Sequence, residues 1–237
     1  MKTVFLDFDG VLFDTLKEAY ILCRYAYSRT DYFSKIDELE YERFYRYKFL
    51  VYNSWQYYYL MELSGQDLTD KEFISKYNNR ILNRDKLSEH VFDEKYYGAR
   101  KDLMKNYNEF WNKLEKPFPF FEDIKKGVSN KIITPIIVSK KDKTAIEYRL
   151  KQYGLFIPTE NIYGKYKLEC YKTKAEFISE FMVNNNIKTS YFIDDNSNNL
   201  EPCKEYSNIK PLLAGWGNIK IDEIGLTRQS IVNKLGI

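Results

Sequence analysis

The chain has 237 residues, 44% of them hydrophobic and 30% charged, with a formal net charge of +3. That is the make-up of a globular protein with a sizeable core, and it is too nearly neutral to mark a nucleic-acid or anionic-membrane binder. No stretch approaches the roughly 20 apolar residues of a membrane span, and three cysteines without metal-ligand spacing point to a reducing compartment, the cytoplasm.

Met1-Lys2-Thr3 leads straight into Val4-Phe5-Leu6, an apolar run far shorter than the core of a secretory signal. Its lack of polar alternation predicts a strand buried on both faces, as in a parallel sheet under helices. The run ends in Asp7-Phe8-Asp9-Gly10. Two carboxylates one residue apart, at the carboxyl end of such a strand, can converge on one centre as the backbone turns. Gly10 lets the chain curl there, and Asp14-Thr15 offers oxygens to start a helix. That helix is expected from about Thr15 to Ser28, with Thr15 and Glu18 at capping-box spacing.

Residues 17–116 have a different texture, without proline and crowded with tyrosine. Tyr41, Phe44, Tyr45, Lys48, Phe49 and Tyr52 follow the three-and-four rhythm of one helix face. Tyr57 to Leu63 continues as helix and stops at Ser64-Gly65. Thr69 and Glu72 form a capping box before Phe73, Ile74, Tyr77, Ile81 and Leu82, the expected buried side of the next helix. A last helix is expected over Glu94 to Leu114, closed by Lys116-Pro117-Phe118-Pro119. The region is therefore read as an all-helical module. Its interleaved aromatic and basic residues do not make a nucleic-acid surface, because 18 Lys/Arg in residues 17–117 are balanced by 17 Asp/Glu.

Strand-like runs return after the prolines. Pro135 to Val138 reads as a buried strand ending at Ser139, with Pro135 placed at its start because an interior proline would cost a ladder bond. Lys143 to Tyr153 is an amphipathic helix stopped by Gly154, and Asn161 to Gly164 a short strand and turn. Thr173 to Asn184 is a helix with Thr173 and Glu176 as capping box and Phe177, Ile178, Phe181 and Met182 on its apolar side. Ser190 to Ile193 is a strand ending at Asp194-Asp195, and Ile209 to Leu213 another. Strands alternating with helices of this length imply βαβ units. The predicted fold is α/β, a Rossmann-like parallel sheet core of residues 1–16 and 117–237, with an all-helical cap domain of residues 17–116 inserted in it. In a parallel sheet the strand ends carrying Asp7/Asp9, Ser139 and Asp194/Asp195 share one edge.

The run Val4 to Thr15, with Asp-Phe-Asp-Gly-Val-Leu at its centre, resembles the first motif of the haloacid dehalogenase-like (HAD) superfamily, most closely its phosphoglycolate phosphatase-like members. Ile136-Ile137-Val138-Ser139 followed by Lys140-Lys141-Asp142 is similar to the second motif, and Phe192-Ile193-Asp194-Asp195 with Asn199 to the fourth. Leu213-Ala214-Gly215-Trp216-Gly217 is similar to the segment that often follows it, and the helical insertion lies where the family carries its C1 type of cap.

The resemblance implies a Mg²⁺-dependent phosphatase acting on a small phosphorylated metabolite. Asp7 would be the nucleophile, forming an aspartyl-phosphate, and Asp9 the general acid and base. Asp7, the backbone carbonyl of Asp9, and Asp195 would bind the metal, with Asp194 beside them. Ser139 would hold a phosphoryl oxygen, with Lys140 and Gly10 at the substrate. The phosphate-binding lysine is expected at Lys174, with Lys172 nearly as well placed and Lys165 and Lys167 less so. Asp194 stands where many members have glycine, and Asn199 where an acidic residue is common. A phosphomutase would use the same Asp7 and Asp9, and a catalytically idle HAD-like binding protein is the reading from another class. The expected role of the cap is to exclude water and select substrate.

Overall fold

The computed structural model describes residues 1–237. Five parallel strands form one sheet: β1 (Lys2–Leu6), β4 (Ile133–Val138), β5 (Ile162–Tyr163), β6 (Ser190–Asp194) and β7 (Ile209–Leu213), in the order β5-β4-β1-β6-β7. A separate two-stranded antiparallel ribbon pairs β2 (Phe13–Asp14) with β3 (Lys116–Pro117). This ribbon, which sequence periodicity is too short to reveal, brings together the points where the chain leaves for the helical insertion and returns from it.

The β1 run is central and buried on both faces, as its composition requires. Val4 and Leu6 pack into one apolar core with Ile137 and Ile193, whereas Phe5 packs into the other with Ile136, Val138 and Phe192. Register follows from the same alternation, with Phe5 opposite both Ile136 and Phe192. Strand β4 starts at Ile133, two residues before the expected start, so Pro135 lies inside it, opposite Val4. It is tolerated because β5 reaches only Ile137 and Val138, leaving the proline on a stretch open to one side.

The chain divides into two units, Met1–Asp14 with Lys116–Ile237, and Thr15–Glu115. The junctions fall slightly before the expected 16/17 and 116/117, because Thr15 and Leu16 open the first helix and Lys116 belongs to the ribbon. The second unit holds α1 (Leu16–Ser28), α2 (Glu38–Tyr47), α3 (Tyr57–Ser64), α4 (Asp70–Leu82), α5 (Lys86–Asn106) and α6 (Asn108–Leu114), with no strand. Helix α4 carries the capping box at Thr69 and Glu72. Its Phe73 and Tyr77 are buried, but Leu82, at the last turn, is 84% exposed. The rhythm from Tyr41 to Tyr52 is broken after Tyr47 by a 3₁₀ turn at Lys48–Leu50. Within α2 the buried face runs through Phe44 and Tyr47 and leaves Tyr45 exposed, and beyond the turn Phe49 is buried. The expected helix from Glu94 to Leu114 is two helices, the first starting at Lys86 with Asp85 as its N-cap.

The first helix corrects another reading. Thr15 makes no side-chain cap bond, and Glu18 is fully buried instead of reaching back to it. Its carboxylate accepts from Arg100 Nε at 2.9 Å and Nη2 at 3.2 Å, and from Trp111 Nε1 at 2.8 Å, while Arg100 Nη2 also donates to the Tyr96 hydroxyl at 2.9 Å. A cap bond at the helix surface stabilises by about 1 kcal/mol. A buried carboxylate paired with a buried guanidinium is the stronger constraint, because either alone would be an uncompensated charge.

The first unit adds α7 (Pro119–Ser129), α8 (Lys143–Gln152), α9 (Lys165–Leu168), α10 (Lys174–Asn184), α11 (Ser197–Leu200) and α12 (Arg228–Leu235). Pro119 at the first turn of α7 is placed where its missing N–H costs nothing. Thr173 caps α10 by accepting from the Glu176 N–H, while Glu176 takes the Lys172 N–H. Helix α12, capped by Thr227 and ended by Gly236 at φ +75°, had no counterpart in the sequence reading. No helix is long and apolar enough to cross a membrane.

Replacing Glu18 by alanine takes a buried carboxylate away from Arg100 in the interior of the helical unit. Chemical denaturation is expected to show a loss of about 3–5 kcal/mol for Glu18→Ala, against about 1 kcal/mol for an exposed N-cap such as Thr69→Ala.

Candidate active site

Each strand end contributes what the parallel topology allows. Asp7 follows β1, Ser139 follows β4, Asp194 ends β6 and Asp195 follows it. Carboxylate oxygens of Asp7, Asp194 and Asp195 all lie within 4.8 Å of one another, and all three residues are buried. Lys174, on the first turn of α10 and 3% exposed, places Nζ 2.7 Å from Asp7 Oδ2 and 2.8 Å from Asp194 Oδ2. The other oxygen of Asp7, Oδ1, accepts the Phe8 N–H at 2.7 Å. The Lys172 side chain is exposed, so of the two lysines weighed from the sequence it is Lys174 that reaches the carboxylates. Lys165 pairs with Glu169 at 3.7 Å, and Lys167 lies over the Tyr171 ring.

Asp194 is held on every side. Oδ1 accepts from the Asn196 N–H and from Asn199 Nδ2, and Oδ2 from Asn199 Nδ2 and Lys174, at 2.8–2.9 Å. Asn199, where an acidic residue was the family expectation, thus turns its amide donor on Asp194, and its own Oδ1 is buried with no hydrogen-bond partner. Asp195 is held differently, since Oδ2 accepts both the Asn218 N–H at 2.7 Å and Asn218 Nδ2 at 2.9 Å. Two glycines enclose it. Gly10, at φ +80°, would place a Cβ 1.9 Å from Asp195 Oδ2, and a Cβ on Gly217 would lie 2.3 Å from Asp195 Cβ. Gly10 therefore turns the chain and also leaves room for a carboxylate from a distant strand.

Ser139 is buried, and its N–H bonds to the Tyr163 carbonyl at 3.0 Å. Lys140 is half-buried. Burial first, and then the Lys174 charge, push its ammonium down to about 7, against the pull of Asp7, Asp194 and Glu169. Lys141 is 2% exposed and sets Nζ 3.2 Å from Asp9 Oδ1. Lys141 lies in the stretch similar to the second motif, and its place two residues after Ser139 is the sequence signal for it; Asn218 has none beyond following Gly217.

Burial pushes the Asp7 carboxyl up from 3.8 to about 6, with Lys174 opposing the rise and Asp194 adding to it. A folded-state value above the unfolded one means that folded protein retains a proton the unfolded chain has released. The corresponding stability is present below about pH 4 and is lost as pH rises through about 6. In EDTA, the stability of the wild type relative to Asp7→Asn is expected to fall by up to about 3 kcal/mol across that window. Denaturation at a series of pH values measures it, and an unchanging difference would mean that Asp7 is ionised throughout.

No family model and no curated protein matches the chain. Solved structures do. A predicted phosphatase from Clostridium acetobutylicum is 16% identical with a TM-score of 0.62, covering 99% of this chain and 97% of its own. A predicted phosphoglycolate phosphatase from Haemophilus somnus 129pt is 14% identical with a TM-score of 0.58, covering 94% and 89%. A haloacid dehalogenase-like family hydrolase from Streptococcus pneumoniae is 15% identical with a TM-score of 0.51, covering 99% and 98%. At such identities the likeness is one of fold, and it extends over nearly the whole of each chain: this protein has the fold of the HAD-like phosphoglycolate phosphatase-like hydrolases.

Proposed function

We propose that the protein is a Mg²⁺-dependent HAD-like phosphatase that hydrolyses a small phosphorylated metabolite through an aspartyl-phosphate. The observation that carries this reading is Lys174 bridging Asp7 and Asp194 in a buried cluster of carboxylates that also includes Asp195. A stabilising ion pair would not need three converging carboxylates. A phosphoryl-transfer site does need them, together with a fixed cation.

The donor set fits magnesium. It is all oxygen, with Asp7, Asp195 and the Asp9 carbonyl as the assigned ligands and Asp194 completing the negative field. The orphaned acceptor Asn199 Oδ1 is suited to a water from the hydration shell that a small hard cation keeps. Bound there, the metal neutralises charge on the carboxylates and on the transferring group.

The chain's own residues carry the steps. Asp7 attacks phosphorus, forming the acyl-phosphate bond as the ester P–O bond breaks, and Asp9 gives its proton to the leaving oxygen. Asp9 then takes a proton from the water that attacks the aspartyl-phosphate, releasing inorganic phosphate and restoring Asp7. Lys174 and the Ser139 hydroxyl hold the equatorial oxygens, with Lys140 beside them and Gly10 keeping the turn open. The helical insertion is assigned the cap role by its place in the chain, between Asp9 and Ser139. Three unpaired cysteines, with Cys23 and Cys203 buried and Cys170 exposed, accord with a cytoplasmic location.

The test is a screen of phosphorylated metabolites and a generic aryl phosphate, with Mg²⁺ and with EDTA. Phosphate release is expected only with metal, and isomerised product without release would favour the mutase. Asp7→Asn is expected to lower turnover by about a thousandfold or more while still folding cooperatively. Undiminished turnover would exclude Asp7 as the nucleophile.

A further inference from the structure

Lys141 has no part in the chemistry just described, yet it is the most deeply buried lysine at the site, its side chain wholly out of solvent. The loop that carries it is pinned. Its N–H approaches Ser139 Oγ at 3.4 Å, and its carbonyl accepts the Lys165 N–H at 3.1 Å. The ammonium lies 5.8 Å from the centre of the Phe8 ring and 3.2 Å from Asp9 Oδ1. Asp9 differs in one respect, since its side chain remains 33% exposed. The pair therefore has a fixed partner, Lys141, and one with room to turn.

We infer, resting on the phosphoryl-transfer reading, that Lys141 is a second phosphate-binding lysine, one that exchanges Asp9 for a phosphoryl oxygen when substrate enters. The exchange follows from charge. A phosphoryl dianion brought against Asp7 and Ser139 arrives beside the same loop and repels the Asp9 carboxylate. It also offers a buried ammonium more negative charge than one carboxylate does. An ammonium has three donors and needs an anionic partner when buried, so Lys141 can bond the incoming oxygen as the bond to Asp9 is given up. The released Asp9 side chain, one-third open to solvent, is then free to collect a proton from water and carry it to the ester oxygen. Substrate entry and the freeing of Asp9 become one event, and a ligand without a phosphoryl group would leave Asp9 tied.

Calorimetric titration of inorganic phosphate into the Mg²⁺-saturated protein tests this without turnover. Lys141→Met is expected to weaken phosphate binding roughly tenfold or more, whereas Lys141→Arg keeps it within a few-fold. Asp9→Asn, which takes the Asp9 charge away from Lys141 in advance, is expected to tighten binding several-fold, and that gain should vanish in Asp9→Asn/Lys141→Met. Wild-type affinity in Lys141→Met, or a gain from Asp9→Asn that persists in the double variant, would overturn the inference alone. Should Lys141→Met fail to unfold cooperatively, Asp9→Asn decides, and an affinity no tighter than wild type overturns the exchange. Wild-type protein that binds no phosphate would overturn the phosphoryl-transfer reading with it.

Discussion

Two buried carboxylates, Asp7 and Asp194, stand side by side with one ammonium between them. Lys174 bonds Asp7 and Asp194 at 2.7 and 2.8 Å, and without it two adjacent aspartates from β1 and β6 would repel one another in a medium that screens poorly. The rest of the first unit can be read as what holds that contact in place. Neighbouring parallel strands bring Asp7 and Asp194 side by side. Helix α10, capped by Thr173, begins with the lysine itself, and Phe177, Ile178 and Met182 on the same helix pack it to the sheet.

The helical unit solves the same problem at a different site. Glu18, Arg100, Trp111 and Tyr96 are joined by buried hydrogen bonds, and the Glu18–Arg100 pair joins α1 to α5 across 82 residues of sequence. In both units a buried charge is matched by a partner from another element, which ties element positions together more strictly than apolar contact does. The difference lies in what is left over. Glu18 has both oxygens engaged by neighbours within its unit. Asp7, Asp194 and Asp195 converge instead beside Lys174, where burial raises the Asp7 carboxyl, Lys174 opposes the rise and Asp194 adds to it.

The features legible in the sequence are those with a short-range signature. Val4-Phe5-Leu6 reads as a doubly buried strand because its period differs from that of an amphipathic helix, and Thr69 with Glu72 reads as a helix start because the two groups satisfy each other locally. Once the strands are parallel, convergence of Asp7, Ser139 and Asp194/Asp195 follows from topology. What escaped depends on partners far away. Glu18 has the spacing of a capping box, and only Arg100 and Trp111, remote in sequence, decide that it turns inward. Tyr45 has the rhythm of a buried face, but α2 ends at Tyr47 and buries Phe44 and Tyr47 instead. Pro135 looks forbidden inside a strand until the neighbour is seen to be two residues long. Asn218 is an ordinary loop residue in one dimension.

Asn218 also shows how the loop after β7 completes the site. Both of its donors converge on Asp195 Oδ2, and Gly10 and Gly217 close in with no room for a side chain between them and the carboxylate. The loop is itself tied down by backbone bonds from Gly215 to Leu226 and from Leu226 to Leu213. A carboxylate held by one oxygen presents the other in a fixed direction, whereas a freely rotating one would present either, or both. The same argument separates the two aspartates at the end of β6. Asp194 has donors on both oxygens and serves to seat Lys174, while Asp195 is anchored through Oδ2 by a residue from another loop. Adjacent and chemically identical in the sequence, they are distinguished by what surrounds each oxygen, which decides what each can hold in place.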